Sequence, residues 1–406
     1  MTPPTAYRHL SVAVPIIAES KALPSLLECL HHQTFQDFTL YCCVNNPHDA
    51  DNSIRSDNEE CLRILASDTQ LSPIILDHCH PGMPHRKQGV GWARKELFSC
   101  IAENCSDDEI IVSMDADTTF SEHYLQAVVD TFNQQFALQA LCTPYYHPLS
   151  HDEPTDRALL RYEIYMRYYF LRLLSIGSPY AFSALGSAMS FPLWAYRRVG
   201  GITPLQGGED FYLMQKFCKT GLIELHLSEV VYPQGRPSHR VPFGTGPAIA
   251  RGVMQMRSQY PLYAASSFRS VQDTYSMFPA LYEHDIETPM SNFLRQQLGE
   301  DDLWGPLRKN FKSPLLFVHS CSERVDGLRI LQYLRATHDP NHTHDEDELI
   351  ALCHELGIVV PHGINFLRSP IAELNAVRDS LFAAEQQQRL AHSHTSQPTT
   401  NHHTKS

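Results

Sequence analysis

The chain has no unbroken apolar run of the roughly 18 residues that a membrane-crossing helix needs. It has no Cys-x-x-Cys pair. Its 11 cysteines are an odd number scattered along the chain, a pattern that fits neither a disulfide framework nor a zinc site. Reduced, buried thiols are expected instead, as in a cytoplasmic protein. Positive charge is in short supply. The 32 Lys and Arg against 45 Asp and Glu leave a net charge of −13, which speaks against nucleic acid as a partner. The first residues, MTPPTAYRHLSVAVPII, lack the charged stretch, long apolar core and small-residue cleavage site of a signal peptide. Their apolar run is expected to be a first strand. No internal repeat is visible.

What is present is ordinary in amount and informative in order. With 406 residues, 43% hydrophobic and 19% charged, the chain can hold one large α/β domain and a smaller accessory region. Apolar runs at 10–17, 38–44, 73–77, 109–118 and 140–143 alternate with helical patterns near 21–32, 59–66, 88–103 and 121–136. Residues 49–58 read as a polar turn, and Ser121 as the cap of the fourth helix. Such alternation predicts an α/β fold with a mostly parallel sheet and helices on both faces. Residues 155–175 read as a long helix dense in Tyr and Arg, 185–191 as a strand, 209 onward as a helix and 222–232 as a strand. From 251 to 390 the pattern is mainly helical. The Ser-, Thr-, His- and Gln-rich tail, 391–406, is expected to be disordered. The domain reading is therefore 1–250, 251–390 and a tail.

Two acidic pairs stand out. The run Ile110-Ile-Val-Ser-Met-Asp115-Ala-Asp117 is read as a buried strand ending in two carboxylates. Strand alternation would put Asp115 and Asp117 on one face. Two adjacent carboxylates are tolerable beside a cation, and hard oxygen ligands suit Mg²⁺ or Mn²⁺. In parallel sheets ligands bind at the carboxyl ends of strands, which is where this pair falls. The second pair, Glu209-Asp210, follows Gly207-Gly208 and opens a helix, where the helix dipole favours negative charge whatever its use. The functional reading is a carboxylate placed to take a proton from an incoming hydroxyl.

In order and spacing these residues resemble family 2 glycosyltransferases of the GT-A fold. The matching positions are Val14-Pro15-Ile16 with Glu19 close behind, Asn45-Asn46 at the end of strand two, Gly89-x-Gly91-x-Ala93-Arg94, Asp115-Ala116-Asp117, and Gly207-Gly208-Glu209-Asp210. The likeness runs from Leu10 to about Gly246 and leaves the helical part from Pro261 uncovered. It implies metal-dependent transfer of a sugar from a nucleotide-diphosphate donor to an acceptor hydroxyl, with inversion. By this likeness Asp210 is the general base, with Glu209 supporting it on the acceptor side. Asp117 is a metal ligand, and Asp115 contacts the donor sugar or ribose. Pro15, Glu19, Asn45, Asn46 and Arg94 lie on the donor side. Two departures matter. Ala18 stands where the family usually has Asn. The Gln-x-x-Arg-Trp motif of processive members is absent, which disfavours long-polymer synthesis.

The loop Arg236-Pro-Ser-His239-Arg240-Val-Pro-Phe-Gly244 offers two forked phosphate donors, Arg236 and Arg240. It also offers a further metal ligand, His239. For these residues a solvated surface loop is the competing reading. The helix with Tyr162, Tyr165, Tyr168, Tyr169, Arg161, Arg167 and Arg172 reads as packed core, with peripheral contact to the inner membrane face or a lipid-linked acceptor as its alternative. Two other functions compete with the main one. A nucleotidyltransferase would need a Gly-rich phosphate loop after strand one, where Ile17-Ala-Glu-Ser-Lys21 has no glycine. A non-catalytic nucleotide-sugar binder would have no need of both acidic pairs. The acceptor, whether glycan, lipid-linked or small molecule, is not written in the sequence.

Overall fold

The computed structural model describes residues 4, 6–84, 87, 89–238, 241–242, 244–254, 260–341 and 343–395. The chain divides into two compact units. One comprises Met1–Leu159, Ala184–Ala250 and Ala383–Ser406; the other comprises Leu160–Ser183 and Arg251–Phe382. Residues 160–183 thus group with 251–382, and residues 383–395 group with the unit that holds the main sheet.

In chain order the elements are β1 (Leu10–Ile16), α1 (Leu23–His31), β2 (Phe38–Pro47), α2 (Asn52–Ser67), β3 (Ile74–Met83), α3 (Val90–Asn104) and β4 (Ile110–Ser113). Next come β5 (Thr118–Thr119), α4 (Tyr124–Gln134), β6 (Ala140–Cys142) and α5 (Glu153–Ser175). The order then runs β7 (Met189–Pro192), α6 (Leu193–Arg198), α7 (Glu209–Thr220), β8 (Ile223–Glu224), β9 (Tyr232–Pro233) and α8 (Thr245–Val253). Among the described residues the main sheet has seven strands in the order β3-β2-β1-β4-β7-β6-β8. The β3, β2, β1 and β4 strands are mutually parallel, and β7 is antiparallel to both β4 and β6. Every residue of β1 is buried, as befits a central strand covered on both faces. Leu23, Leu26, Leu27 and Leu30 form the buried stripe of α1, at the spacing the sequence shows.

The differences from the sequence reading have local causes. The polar stretch 49–58 is helical from Asn52, because only Asn58, Cys61 and Leu65 of α2 need to be buried and the rest of the helix faces water. Ser121 does not cap α4: the cap position is His123, and the Ser121 hydroxyl accepts from the His123 N–H at 3.2 Å. Residues 222–232 do not form one strand. They supply β8 to the main sheet and lead to β9, which pairs with β5 in a separate two-stranded ribbon. The tail is helical through Thr395, and residues 396–406 lie outside the described residues. Arg389, fully buried, explains the extra helical turns. Its guanidinium donates to the carbonyls of Cys142 (3.0 Å) and Leu225 (2.6 Å), at the ends of β6 and β8.

The second unit is helical apart from its connections: α9 (Ala265–Met277), α10 (Ser291–Leu298), α11 (Gly305–Asn310), α12 (Pro314–Arg324), α13 (Gly327–Thr337) and α14 (Asp345–Glu355). α15 (Ile371–Thr395) follows in the chain. Tyr162, Tyr165, Tyr168, Phe170, Arg167 and Arg172 are all buried, so the aromatic helix is core, as its spacing suggested. Glu163 is buried between Arg167 and Arg378, the latter at 3.3 Å, which satisfies its charge within the protein. Among the described residues no helix is long and apolar enough to cross a membrane, and all 11 cysteines are free.

Candidate active site

Because β1, β2 and β4 run parallel, their carboxyl ends emerge together. That brings Glu19, Asn45 and Asn46, and Asp115 and Asp117 to one edge of the sheet. Pro15 sits in β1 beyond the residues that pair with β4, which end at Ala13, so its missing N–H costs the β1–β4 ladder nothing. Ala18, just past the strand, takes the left-handed conformation with φ 52°. Asn tolerates that conformation better than Ala, which gives the family's usual Asn a backbone reason. Here the Ala18 N–H donates to the Asn58 side chain at 2.8 Å.

The acidic pair after β4 is not on a strand. β4 ends at Ser113, and Asp115 and Asp117 lie in the turn between β4 and β5. The alternation argument for a shared face therefore does not apply, and the two carboxylates have different partners. Asp115 pairs with Arg94, and Asp117 pairs with Arg236 at 3.2 Å. The β5–β9 ribbon accounts for the second pair. Thr118 is in register with Pro233, and the Gln234 N–H donates to the Asp117 carbonyl at 3.2 Å, which delivers Arg236 beside Asp117.

Arg94 is the organising residue. It is 2% exposed and spends its donors inside the protein: one terminal nitrogen on Glu209, the other on Asp115, and Nε on the Ser113 hydroxyl at 3.2 Å. Burial works against its charge, but Asp115 and Glu209 outweigh that and hold it ionised. In this geometry the guanidinium braces the two acidic segments against each other. The Gly-x-Gly spacing upstream has a packing cause. A Cβ on Gly91 would stand 2.3 Å from the Leu205 carbonyl oxygen, and one on Gly89 would stand 2.8 Å from the Gln206 Cα. Only glycine lets the start of α3 meet the segment that leads into Glu209-Asp210. Gly186 does the same for the guanidinium, because a Cβ there would lie 2.0 Å from an Arg94 nitrogen. Gly186 and Ser113 are site residues that the sequence reading missed. The one available signal was a glycine inside a strand-like run.

Gly208, at φ 77°, turns the chain into α7. The two carboxylates that open this helix differ. Glu209 is 1% exposed and bound to Arg94, with its Oε2 lacking a hydrogen-bond partner among the described residues. Asp210 is half-buried and has no ion pair among the described residues. The Phe211 N–H donates to it at 2.7 Å. Desolvation first, and then the neighbouring Glu209 charge, push its pKa up to about 7, against the pull of Arg94.

Asn46 has no exposed surface. Its side-chain oxygen accepts from Asn58 at 3.1 Å and its amide donates to the Pro47 carbonyl at 2.8 Å. It is a tether between β2 and α2. A cleft of about 400 Å³ lies beside the site, lined by Ala18, Glu19, Lys21, Asp57, Gln234 and Arg236. Among the described residues no three His, Cys, Asp or Glu converge as a metal cage. His239 and Arg240 lie outside the described residues.

Residues 110–260 match the family described as Glycosyl transferase family group 2. No curated protein matches the chain. Among solved structures, the mannosyltransferase PcManGT of Pyrobaculum calidifontis, in complex with GDP-Man and Mn²⁺, is 13% identical. The similarity covers 96% of this chain and 89% of that one, with a TM-score of 0.39. TarS 1-349 of S. aureus, in complex with UDP-GlcNAc, is 12% identical over 86% of this chain and 92% of that one, with a TM-score of 0.42. Likenesses of that size carry no argument about the chemistry here. The family match over 110–260, set on a mostly parallel seven-stranded sheet, makes this part of the chain similar to glycosyl transferase family group 2.

Proposed function

We propose that the chain transfers a hexose from a nucleotide-diphosphate sugar to an acceptor hydroxyl with inversion, assisted by Mn²⁺ or Mg²⁺. The observation that supports this reading most is the inequality of the four carboxylates. Asp115 and Glu209 are fixed on Arg94, while Asp210 is without an ion pair among the described residues and is pushed toward neutrality. A general base at neutral pH needs that combination. In the proposed reaction the acceptor oxygen attacks the anomeric carbon and the hydroxyl proton passes to Asp210. The bond from that carbon to the diphosphate oxygen breaks on the opposite face. Direct displacement of this kind inverts the centre.

On the donor side the proposed contacts are Glu19, Asn45, Asp115 and Arg236, around the 400 Å³ cleft. Glu209 and Arg94 are positioning residues. Divalent ions of this class bind through one or two carboxylates together with substrate phosphates. A site offering Asp117 without a full protein cage fits that mode, and a guanidinium already stands beside Asp117 as a positive charge. When bound, the cation would neutralise charge on the departing diphosphate. Glycan or glycolipid synthesis at the cytoplasmic side of a membrane is the setting that accords with this chemistry.

The test is donor hydrolysis and transfer across a panel of nucleotide sugars with Mn²⁺. The proposal expects turnover with at least one donor, loss on chelation, and a drop of about a hundredfold or more in Asp117→Ala. Full turnover by that variant, or turnover indifferent to chelation, contradicts the metal assignment.

A further inference from the structure

We infer that Arg236 is a built-in competitor for the cation: it occupies Asp117 until a donor diphosphate draws it away, so that metal binds well only together with donor. The inference rests on Asp117 being the metal ligand proposed above. Its own evidence is geometric. One Arg236 nitrogen is shared between Glu19 and Asp117, the latter at 3.2 Å. Glu19 and Asp117 emerge from neighbouring parallel strands, β1 and β4, and the guanidinium between them stands where a small cation would otherwise balance their charge. Arg236 is held by the β5–β9 ribbon through Gln234, two residues away, so its backbone is fixed while its side chain can exchange partners. The side chain is 38% exposed and lines the cleft beside the site, so the route to a new partner is open.

The exchange is balanced in charge. Without ligand, one guanidinium serves two carboxylates. With donor, two phosphates arrive along with the divalent ion. The guanidinium would then turn to phosphate as a forked donor, and its contact with Asp117 would be given up to the metal. Metal binding to the free protein must break an ion pair, whereas binding with diphosphate replaces it.

The test is calorimetric titration of Mn²⁺ alone, and of Mn²⁺ with inorganic pyrophosphate as the diphosphate probe, into the full-length protein. Wild type is expected to bind Mn²⁺ alone weakly and to bind it more tightly with pyrophosphate. Arg236→Gln and Arg236→Met should each bind Mn²⁺ alone roughly two- to fivefold more tightly, the value of a partly exposed ion pair removed. They should also gain less from pyrophosphate. Unchanged or weaker Mn²⁺ binding in both folded variants overturns the inference. Combining Arg236→Gln with Asp117→Asn separates the two readings. If the gain disappears in the double variant, the competition at Asp117 stands. If the gain survives, Asp117 is not the ligand and the reading on which the inference rests fails.

Discussion

Arg94 carries the heaviest electrostatic duty of any residue in the site. It neutralises Glu209, which has almost no contact with water, and Asp115, which has some. Removing one partner of a buried pair is far more costly than the pair is worth, because the remaining charge stays desolvated. Arg94→Met should therefore lower stability by about 3–5 kcal/mol, read from urea unfolding near pH 8. A loss below about 1 kcal/mol in that variant would mean that the Glu209 and Asp115 charges are satisfied without Arg94. The acidic residues were legible in the sequence because carboxylates at a strand end and a helix start are few and distinctive. Their pairing was not. An Arg at a helix start can face a ligand, water or the core, and only the third dimension put Arg94 between Asp115 and Glu209, segments 94 residues apart.

Among the elements, α3 and α7 depend on each other through glycine. The start of α3 lies so close to residues 205 and 206 that a single methyl group has no room. Gly91→Ala is expected to cost about 1–3 kcal/mol, the usual penalty for overpacking. It should also lower transfer activity, because the backbone it displaces leads directly into Glu209 and Asp210. A thermal melt and a rate measurement on the same variant check both parts. Unchanged values for both would show that the contact at Leu205 gives way freely. Element types along the sheet were mostly readable, since β1, β2, β4 and α1 follow clean apolar patterns. The failures fell where short elements are defined by their partners. β5, β8 and β9 are two residues each and have no pattern of their own, and β7 enters antiparallel between β4 and β6. The ribbon that carries Arg236 to Asp117 is one of these, so that contact had no signature in the sequence beyond an arginine-bearing loop.

At the scale of the whole molecule, two stretches distant in sequence are folded into one reactive edge. The strand ends supply the proposed donor side, and the glycine-led helix α7 supplies the proposed base. The second unit is built on buried tyrosines and the Glu163–Arg167–Arg378 cluster, and its sequence shows helices without showing a task. The central claim is that Asp210 removes the acceptor's proton, and one comparison addresses it: kcat/KM against pH for wild type and Asp210→Asn, with donor affinity of both measured by calorimetry. Wild-type kcat/KM should fall below about pH 7, as the Asp210 carboxylate takes up its proton. The Asn variant should bind donor as wild type does, turn over roughly a hundred- to ten-thousandfold more slowly, and lose that acid limb. An Asn variant that keeps both the rate and the acid limb of the wild type would contradict the account.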